Sequence, residues 1–576
     1  MTARSKWTTA LISGALVLWL ANGLRADADP KRTTPADQAE IMKSLELFTR
    51  VFEKINTYYV EENVDPNDLI KKAIDGMLEG LDPHSQFLDD RQYDDLMTST
   101  QGSFGGLGIE ISVRDNYPTV VSPMEGTPAY IQGIQGGDKI IEIEGEDTYG
   151  WTIQQAIAKL RGPKGTQVSF KVRREEVEDP IAYTVTRDII EIESVRYAFK
   201  IGDVGYVRVT NFAQDTADEL QDRLLDLEGQ GIKGLVLDLR YNPGGLLRAA
   251  RDVSQLFLES GKKIVFTRGR TPRQNADYYS TTAEAKIHGK SYPIIVMING
   301  ASASASEIVA GALQDWDAGL IVGEPSFGKG SVQTVYPLSE TEALKLTTAK
   351  YYTPSGRCIH KDHADEEEEA APGETAENTP TPAPAPKPAT LDKKKDEAPD
   401  PVETFRTVGG RTVAGGGGIT PDILVTQPEL SQLATDLEAK AYFFQYAVKY
   451  VARHPQAKDF KVTPEVTTEF KQILADDKFT YDQAAWDANV EYINRGIRRE
   501  IARRLYGSKG AYSVSIEGDE QLKKALDLFQ HGRTVKELYA VKAEQLKPVT
   551  TDEIKRRIEA NDMVGRGEVT APRKKK

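Results

Sequence analysis

At 576 residues the chain is long enough for several domains and a sizeable buried core. Its formal net charge of −14 argues against nucleic acid as a partner, and its single cysteine, Cys358, excludes an internal disulfide. At the start, Arg4 and Lys6 precede an apolar run from Ala10 to Ala21, and Ala26-Asp27-Ala28 offers a small-x-small cleavage site. That order predicts a secretory signal over residues 1–28 and a bacterial periplasm as destination. A membrane span takes about 20 apolar residues, and Trp7 to Leu24 is nearly that long, so an uncleaved inner-membrane anchor is the alternative. Residues 36–100 predict a helical region. Ile41, Leu45, Phe48, Phe52 and Ile55 fall on one face of a helix over Gln38 to Tyr59, and Leu69 to Leu81 continues the pattern.

Residues 102–190 form the next module. It opens with Ser103-Phe-Gly-Gly-Leu-Gly-Ile-Glu-Ile111, followed by Gly126-Thr-Pro-Ala-Tyr and Gly136-Gly-Asp-Lys-Ile-Ile-Glu-Ile-Glu-Gly145. Ala156 to Leu160 reads as helix, and Gly162-Pro-Lys-Gly-Thr166 leads into a strand over Val168 to Val172. The whole pattern resembles a PDZ domain of the processing-protease type. The resemblance implies a peptide added as an extra strand, its terminal carboxylate seated on backbone N–H groups of Gly106, Leu107, Gly108 and Ile109. Arg161 would bring a cation near that carboxylate, or else is an ordinary surface arginine.

Further on, Gly234 to Arg240 is a short apolar run that reads as a buried strand, ending in the turn Tyr241-Asn-Pro-Gly-Gly245. Ser302-Ala-Ser-Ala-Ser-Glu307 follows, then Gly323-Glu-Pro-Ser-Phe-Gly-Lys-Gly330 with Gln333. A serine hydroxyl is a poor nucleophile without a positioned base. The six histidines are scattered and no G-x-S-x-G elbow is present, so nothing reads as a Ser-His-Asp set. A lysine can serve if burial lowers its pKa, by up to about 5 units in the extreme, until it is neutral. This pairs Ser304 with Lys329 and predicts activity that rises toward mildly alkaline pH. Ser304 also opens a capping box with Glu307 ahead of a helical run through Ile308, Val309, Ala312 and Leu313, and the two roles are compatible. A helix N-terminus leaves amides, Ala305 first, free to receive an oxyanion. A phosphate-binding loop is the rival reading of Gly323 to Lys329. It requires Ser or Thr after the lysine and then a helix, whereas Gly330 stands there and Ser331 to Pro337 alternates like a strand.

Taken in order, Asp238-Leu-Arg-Tyr-Asn-Pro-Gly-Gly245, the serine motif, the lysine motif and Gly415-Gly-Gly-Gly-Ile-Thr-Pro-Asp422 resemble the carboxyl-terminal processing proteases, or tail-specific proteases. The resemblance runs from about Leu45 to Val425. It implies Ser304 as nucleophile, Lys329 as general base and Gln333 as the residue that orients the lysine. The oxyanion donors fall on Gly244 or Gly245 and on Ala305. No metal or organic cofactor is implied.

Residues 361–402 hold 12 acidic and 5 basic residues and 8 prolines, the composition of a disordered insertion. His360 and His363 beside it lack further ligands for a metal site. Residues 428–570 predict a C-terminal helical region, with amphipathic helices over Leu437 to Val451, Trp486 to Leu505 and Leu522 to Phe529. The expected architecture is multidomain α/β. It has a helical N-terminal region, a PDZ domain, a crotonase-like α/β protease core over 191–360 and 403–427, and the C-terminal helices. The expected function is an exported Ser-Lys endopeptidase that captures protein C-termini and cuts them, with a homo-oligomer, an adaptor protein or loose membrane contact as further expectations. A PDZ-based periplasmic scaffold that binds tails without cutting is the alternative.

Overall fold

The structure is a computed structural model that describes residues 35–61, 63–175, 177–281, 292–361, 403–454 and 460–541. The signal, nearly all of the acidic insertion and the basic C-terminus lie outside these residues. The chain divides into two units, Met1–Phe87 and Leu88–Lys576. In the first, helices Pro35–Tyr58 and Pro66–Glu79 carry the expected amphipathic pattern. Their apolar side chains Ile41, Leu45, Phe48, Val51 and Ile55 are exposed.

The second unit is built around a six-stranded sheet. Strands Tyr197–Ile201, Val204–Arg208, Gly234–Asp238, Ile294–Ile298, Leu320–Gly323 and Ile423–Leu424 lie side by side in chain order. The first pair is antiparallel and the remaining pairs are parallel. Parallel neighbours need crossover connections, and a sheet that grows in one direction with right-handed crossovers puts all of them on one face. Helices Thr216–Gly229, Leu247–Gln255 and Ala305–Asp315 do this. Leu220, Leu224, Val253, Ile308 and Leu313 pack there against Val207, Leu237, Val296 and Ile321.

That arrangement leaves the opposite face uncovered. Tyr206, Val236, Ile295, Met297 and Val322 point into it and are fully buried, which explains why Gly234 to Asp238 reads as a short apolar run with no alternation. The cover comes from the far end of the chain, where helix Glu520–His531 lays Leu522, Leu526 and Phe529 on this face.

The PDZ-like module has its own core. Strands Ile109–Arg114, Tyr117–Pro123, Lys139–Ile143, Gln167–Arg173 and Ile181–Thr186 form its sheet, and helix Ile153–Leu160 closes over Val120, Ile140, Val168 and Phe170. In Gln167–Arg173 the alternation of buried and exposed residues is complete, as a sheet with one solvated face requires.

The C-terminal helices build a core of their own from Leu437, Tyr442, Phe443, Tyr446, Phe470, Trp486 and Ile497. Two of the expected helices are divided. Leu437 to Val451 breaks at Ala441, whose φ of 54° turns the chain between helices Gln432–Ala439 and Tyr442–Arg453. The left-handed residue costs about 1–2 kcal/mol, which burial of Tyr442, Phe443 and Tyr446 offsets. Trp486 to Leu505 divides at Asn489, whose side chain bonds the Ala485 carbonyl (2.7 Å) and takes the Ser431 hydroxyl (2.8 Å). Helix Pro464–Asp476, capped by Thr463, was not foreseen.

Candidate active site

In a parallel sheet the carboxyl ends of the strands carry the loops that act on ligands. Three adjacent strands here deliver three motifs at that edge. Gly234–Asp238 runs into the Asn242-Pro-Gly-Gly turn, Ile294–Ile298 into the serine motif, and Leu320–Gly323 into the lysine motif.

Side chains within the motifs fasten these loops together. Ser302 is fully buried and donates its hydroxyl to the Leu239 carbonyl (2.9 Å). Ser306, also fully buried, donates to the Asn242 carbonyl (2.9 Å), which accepts the Ala303 amide as well (3.0 Å). The Tyr241 amide donates to Asn299 Oδ1 (2.9 Å). The two outer serines are therefore committed to structure. Ser304, between them, is only partly buried, and its side chain makes no cap hydrogen bond.

Ser304 takes φ 53° and ψ −109°, a region that side-chain-bearing residues avoid at a cost of about 1–3 kcal/mol. Helix Ala305–Asp315, buried along its whole length, starts immediately after it. The Glu307 amide is satisfied by the Ser304 carbonyl (2.9 Å), so of the expected capping box the acidic side is the working half.

That acidic side does more than cap a helix. The Glu307 carboxylate is fully buried, and each oxygen accepts two donors. Oε1 takes the Ser326 hydroxyl (2.6 Å) and the Gly328 amide (2.7 Å). Oε2 takes the Ser304 amide (2.7 Å) and the Lys329 amide (3.0 Å). Four donors fill the acceptor sites of an ionised carboxylate. Burial pushes this carboxyl up to about 7, with the four hydrogen bonds opposing the rise. A second clamp acts on the carbonyl side. The Tyr351 hydroxyl reaches the Ser304 carbonyl (3.0 Å) and the Lys329 carbonyl. Burial first and the Glu307 charge second hold that phenol well above its usual pKa, so it stays a donor. The backbones of Ser304 and Lys329 are thus held in one frame, by amides on one side and carbonyls on the other.

The glycine turn closes against this frame. A Cβ on Gly244 would fall 2.8 Å from the Ser304 Cβ and 2.9 Å from the Ala305 nitrogen, and its φ is 103°. The Gly244 amide is occupied by Asn242 Oδ1 (2.9 Å). Among the described residues, the amides of Gly245 and Ala305 have no acceptor. Of the two glycines expected as donors, Gly245 is the one whose N–H is available, and Gly244 supplies closeness.

Lys329 and Gln333 lead into the hairpin Ser331–Pro337 and Ala343–Tyr352, so a strand follows the lysine where a phosphate-binding loop would place a helix. Gln333 Nε2 donates to the hydroxyls of Ser331 (3.0 Å) and Thr347 (3.3 Å), both across or along this hairpin. Lys345, opposite Val335, lies within electrostatic reach of Lys329. Its pKa is lowered, first by burial and then by that charge. Among the described residues there is no cluster of three or more His, Cys, Asp or Glu able to hold a metal ion. His363 falls outside the described residues.

In the PDZ-like module a cavity of about 140 Å³ is lined by Leu107, Gly108, Ile109, Ile153, Ile157 and Arg161, among others. The Leu107 and Gly108 amides have no acceptor among the described residues, and φ at Gly108 is 77°. Gly106 ends a short strand that pairs with Asp188–Glu191. Arg161 lines the groove. It stacks over Phe104 (4.6 Å to the ring centre) and pairs with Asp95 (3.2 Å).

Four segments of the chain match models of known families. Residues 203–369 match the model of peptidase family S41, 119–174 a PDZ domain and 12–92 the N-terminal domain of the activating protease CtpB. Residues 433–487 match the model described as Probable PDZ-protease, C-terminal helical domain. The carboxy-terminal-processing protease of Bartonella bacilliformis is 46% identical over 330 residues, covering 57% of this chain and 75% of that one. The chain belongs to the carboxy-terminal processing proteases. It is a serine-type peptidase with a PDZ domain, an S41 core and helical flanks. Carboxy-terminal processing protease CtpA of Bacillus subtilis is 34% identical over 354 residues, covering 61% of this chain and 73% of its own. Among solved structures, the photosystem II D1 C-terminal processing protease aligns at 29% identity over 55% of this chain and 89% of its own, with a TM-score of 0.32.

The sequence reads Glu307 only as a capping residue, and it does not single out Tyr351 or Lys345. The signal for Glu307 was present, since its capping spacing places it beside Ser304. Tyr351 had none, because it reaches the site through strand pairing.

Proposed function

We propose that this protease cuts peptide bonds near protein C-termini through a Ser304-Lys329 dyad and an acyl-enzyme. Neutral Lys329 takes the Ser304 proton as Oγ attacks the scissile carbonyl. The amides of Gly245 and Ala305 receive the oxyanion. Protonated Lys329 then gives its proton to the leaving amine, the C–N bond breaks, and water releases the acyl group from Ser304 with the lysine again as base. Gln333 steadies the lysine from the adjoining hairpin. The observation that carries this reading is the strained Ser304 at a helix N-terminus, framed with Lys329 by Glu307 and Tyr351. Strain of this kind persists only where surrounding structure enforces it.

The PDZ groove captures the substrate tail, with the Leu107 and Gly108 amides facing its carboxylate and apolar walls its last side chain. Capture raises the effective concentration of the nearby bond at the site. The signal-like start of the chain supports export to the periplasm. The exposed apolar stripe from Ile41 to Ile55 supports self-association.

The test compares wild type, Ser304→Ala and Lys329→Ala on an unfolded protein with an apolar or an amidated tail. Both substitutions abolish cleavage while tail binding survives, and amidation weakens binding to all three. Cleavage by Ser304→Ala at the wild-type rate would remove the dyad, and binding without cleavage by wild type would favour the scaffold alternative.

A further inference from the structure

The oxyanion turn begins at a residue that is fastened from the far end of the chain. Arg240, two residues before Asn242, is only 4% exposed. Its Nε and Nη2 donate to Asp238 (3.0 and 2.7 Å), and its Nη1 donates to Asp519 Oδ1 (3.0 Å) and Gln521 Oε1 (2.8 Å). Nη2 also meets Asp519 Oδ2. Every polar group in this knot is committed. Asp238, fully buried, accepts the Tyr206 hydroxyl (2.6 Å), and Tyr206 meets Tyr512. Asp519 caps helix Glu520–His531 at the Leu522 amide (2.9 Å). Gln521, also fully buried, donates to the Val425 carbonyl (2.6 Å).

The helix that covers the open face of the sheet therefore does something a greasy cover would not require. It sends two polar side chains through the core edge to the guanidinium from which the turn departs. Downstream of Arg240 the next anchors are the Tyr241 amide on Asn299 and the Asn242 side chain on the Val209 carbonyl (2.9 Å). Tyr241 itself has φ 57°, so the direction of the turn is set within one or two residues of the arginine.

We propose that Asp519 and Gln521 are positioning residues of the reaction: through Arg240 they fix the departure of the Asn242-Pro-Gly-Gly turn and so the direction of the Gly245 amide. The inference rests on the oxyanion role proposed above. It makes the C-terminal helical region part of the catalytic apparatus.

The test uses the full-length protease and an internally quenched peptide with an apolar tail. Asp519→Asn keeps the helix cap, since asparagine caps as well as aspartate, and removes the charge facing Arg240. A displacement of about 1 Å at a reacting group can cost about 100-fold, so kcat is expected to fall about 10- to 100-fold. KM and the affinity for the tail peptide are expected to stay within about twofold, because neither involves the turn. Affinity for a peptide boronate, which builds the tetrahedral adduct on serine, falls in step with kcat. Arg240→Lys gives the same pattern, and the double variant is no worse than the worse single one, because both act through one link.

A folded Asp519→Asn enzyme with wild-type kcat overturns the inference. So do effects that multiply in the double variant, or a fall in kcat and tail affinity with a rise in KM that together track thermal stability. If Asp519→Asn does not fold, Gln521→Met, which leaves the cap in place, carries the same measurements. If neither folds, the two residues serve stability and the inference fails. Cleavage by Ser304→Ala at the wild-type rate marks failure of the underlying dyad instead, whatever Asp519→Asn does.

Discussion

Glu307 holds more of the site than any other single side chain, and its chemistry fixes two pH dependences of opposite sign. Its carboxyl lies at about 7 in the fold against an ordinary 4.5, with burial the main cause. The folded state therefore holds this proton more tightly than the unfolded chain. Its contribution to stability is full below about pH 4.5 and is lost as pH rises toward about 7. The frame around Ser304 and Lys329, in contrast, needs the ionised form, because all four partners are donors. Between about pH 5 and 8 the wild type is expected to gain kcat while this group's share of stability declines. Denaturation midpoints and kcat over one pH series measure both. Glu307→Gln should flatten the stability slope and turn an NH₂ toward backbone donors, at about 1–3 kcal/mol for each donor left unmet, with kcat down at least about 10-fold. A second residue-scale prediction concerns Lys345. Its charge lies within electrostatic reach of Lys329, the proposed base, so Lys345→Met should move the activity profile to higher pH and Lys345→Arg should leave it in place. Ser304, Lys329 and the glycine turn could be read from the sequence because each lies in a short contiguous motif. Lys345 and Tyr351 could not, since they reach the site through the pairing of Ser331–Pro337 with Ala343–Tyr352.

Elements deliver these residues, and the turn after Gly234–Asp238 is the most sensitive of them. Gly244→Ala would put a methyl group within 3 Å of the Ser304 Cβ and the Ala305 nitrogen, at a φ of 103°. Loss of one oxyanion donor costs about 100- to 1000-fold in kcat, and a loss of that order is expected here with little change in tail binding. Titration with a fluorescent tail peptide alongside kcat separates the two. Sequence periodicity located the strand over Gly234–Asp238 and the helix after Ser304, since a buried parallel strand leaves a short apolar run and the helix carries its apolar residues at helical spacing. It failed at Ala441 and Asn489, where the apolar pattern continues while the backbone turns. Helix Pro464–Asp476 shows the reverse case. Thr463-Pro464-Glu465 is a start signal that the sequence alone displays, ahead of a helix whose apolar residues Val466, Phe470 and Leu474 sit at helical spacing.

At the scale of the molecule, a sheet with all its crossovers on one face cannot stand alone, and the last described helices complete it. Leu526 is fully buried on the covering helix, and Leu526→Ala is expected to cost about 2–5 kcal/mol, read as a shift in denaturant midpoint. No pattern in the strands announces which segment provides that cover, because it comes from nearly 200 residues away in sequence, from Glu520–His531 to Leu320–Gly323. The PDZ groove, the turn, the serine and the lysine belong to one account only if an acyl group passes through Ser304. The most direct measurement is an acid-quenched single turnover on a slow ester or peptide substrate, with the protein digested and weighed by mass spectrometry. Substrate acyl mass is expected on the peptide that contains Ser304, absent in Ser304→Ala and slow to form in Lys329→Ala. Product formation without any acyl mass on that peptide, undiminished in Ser304→Ala, would contradict it.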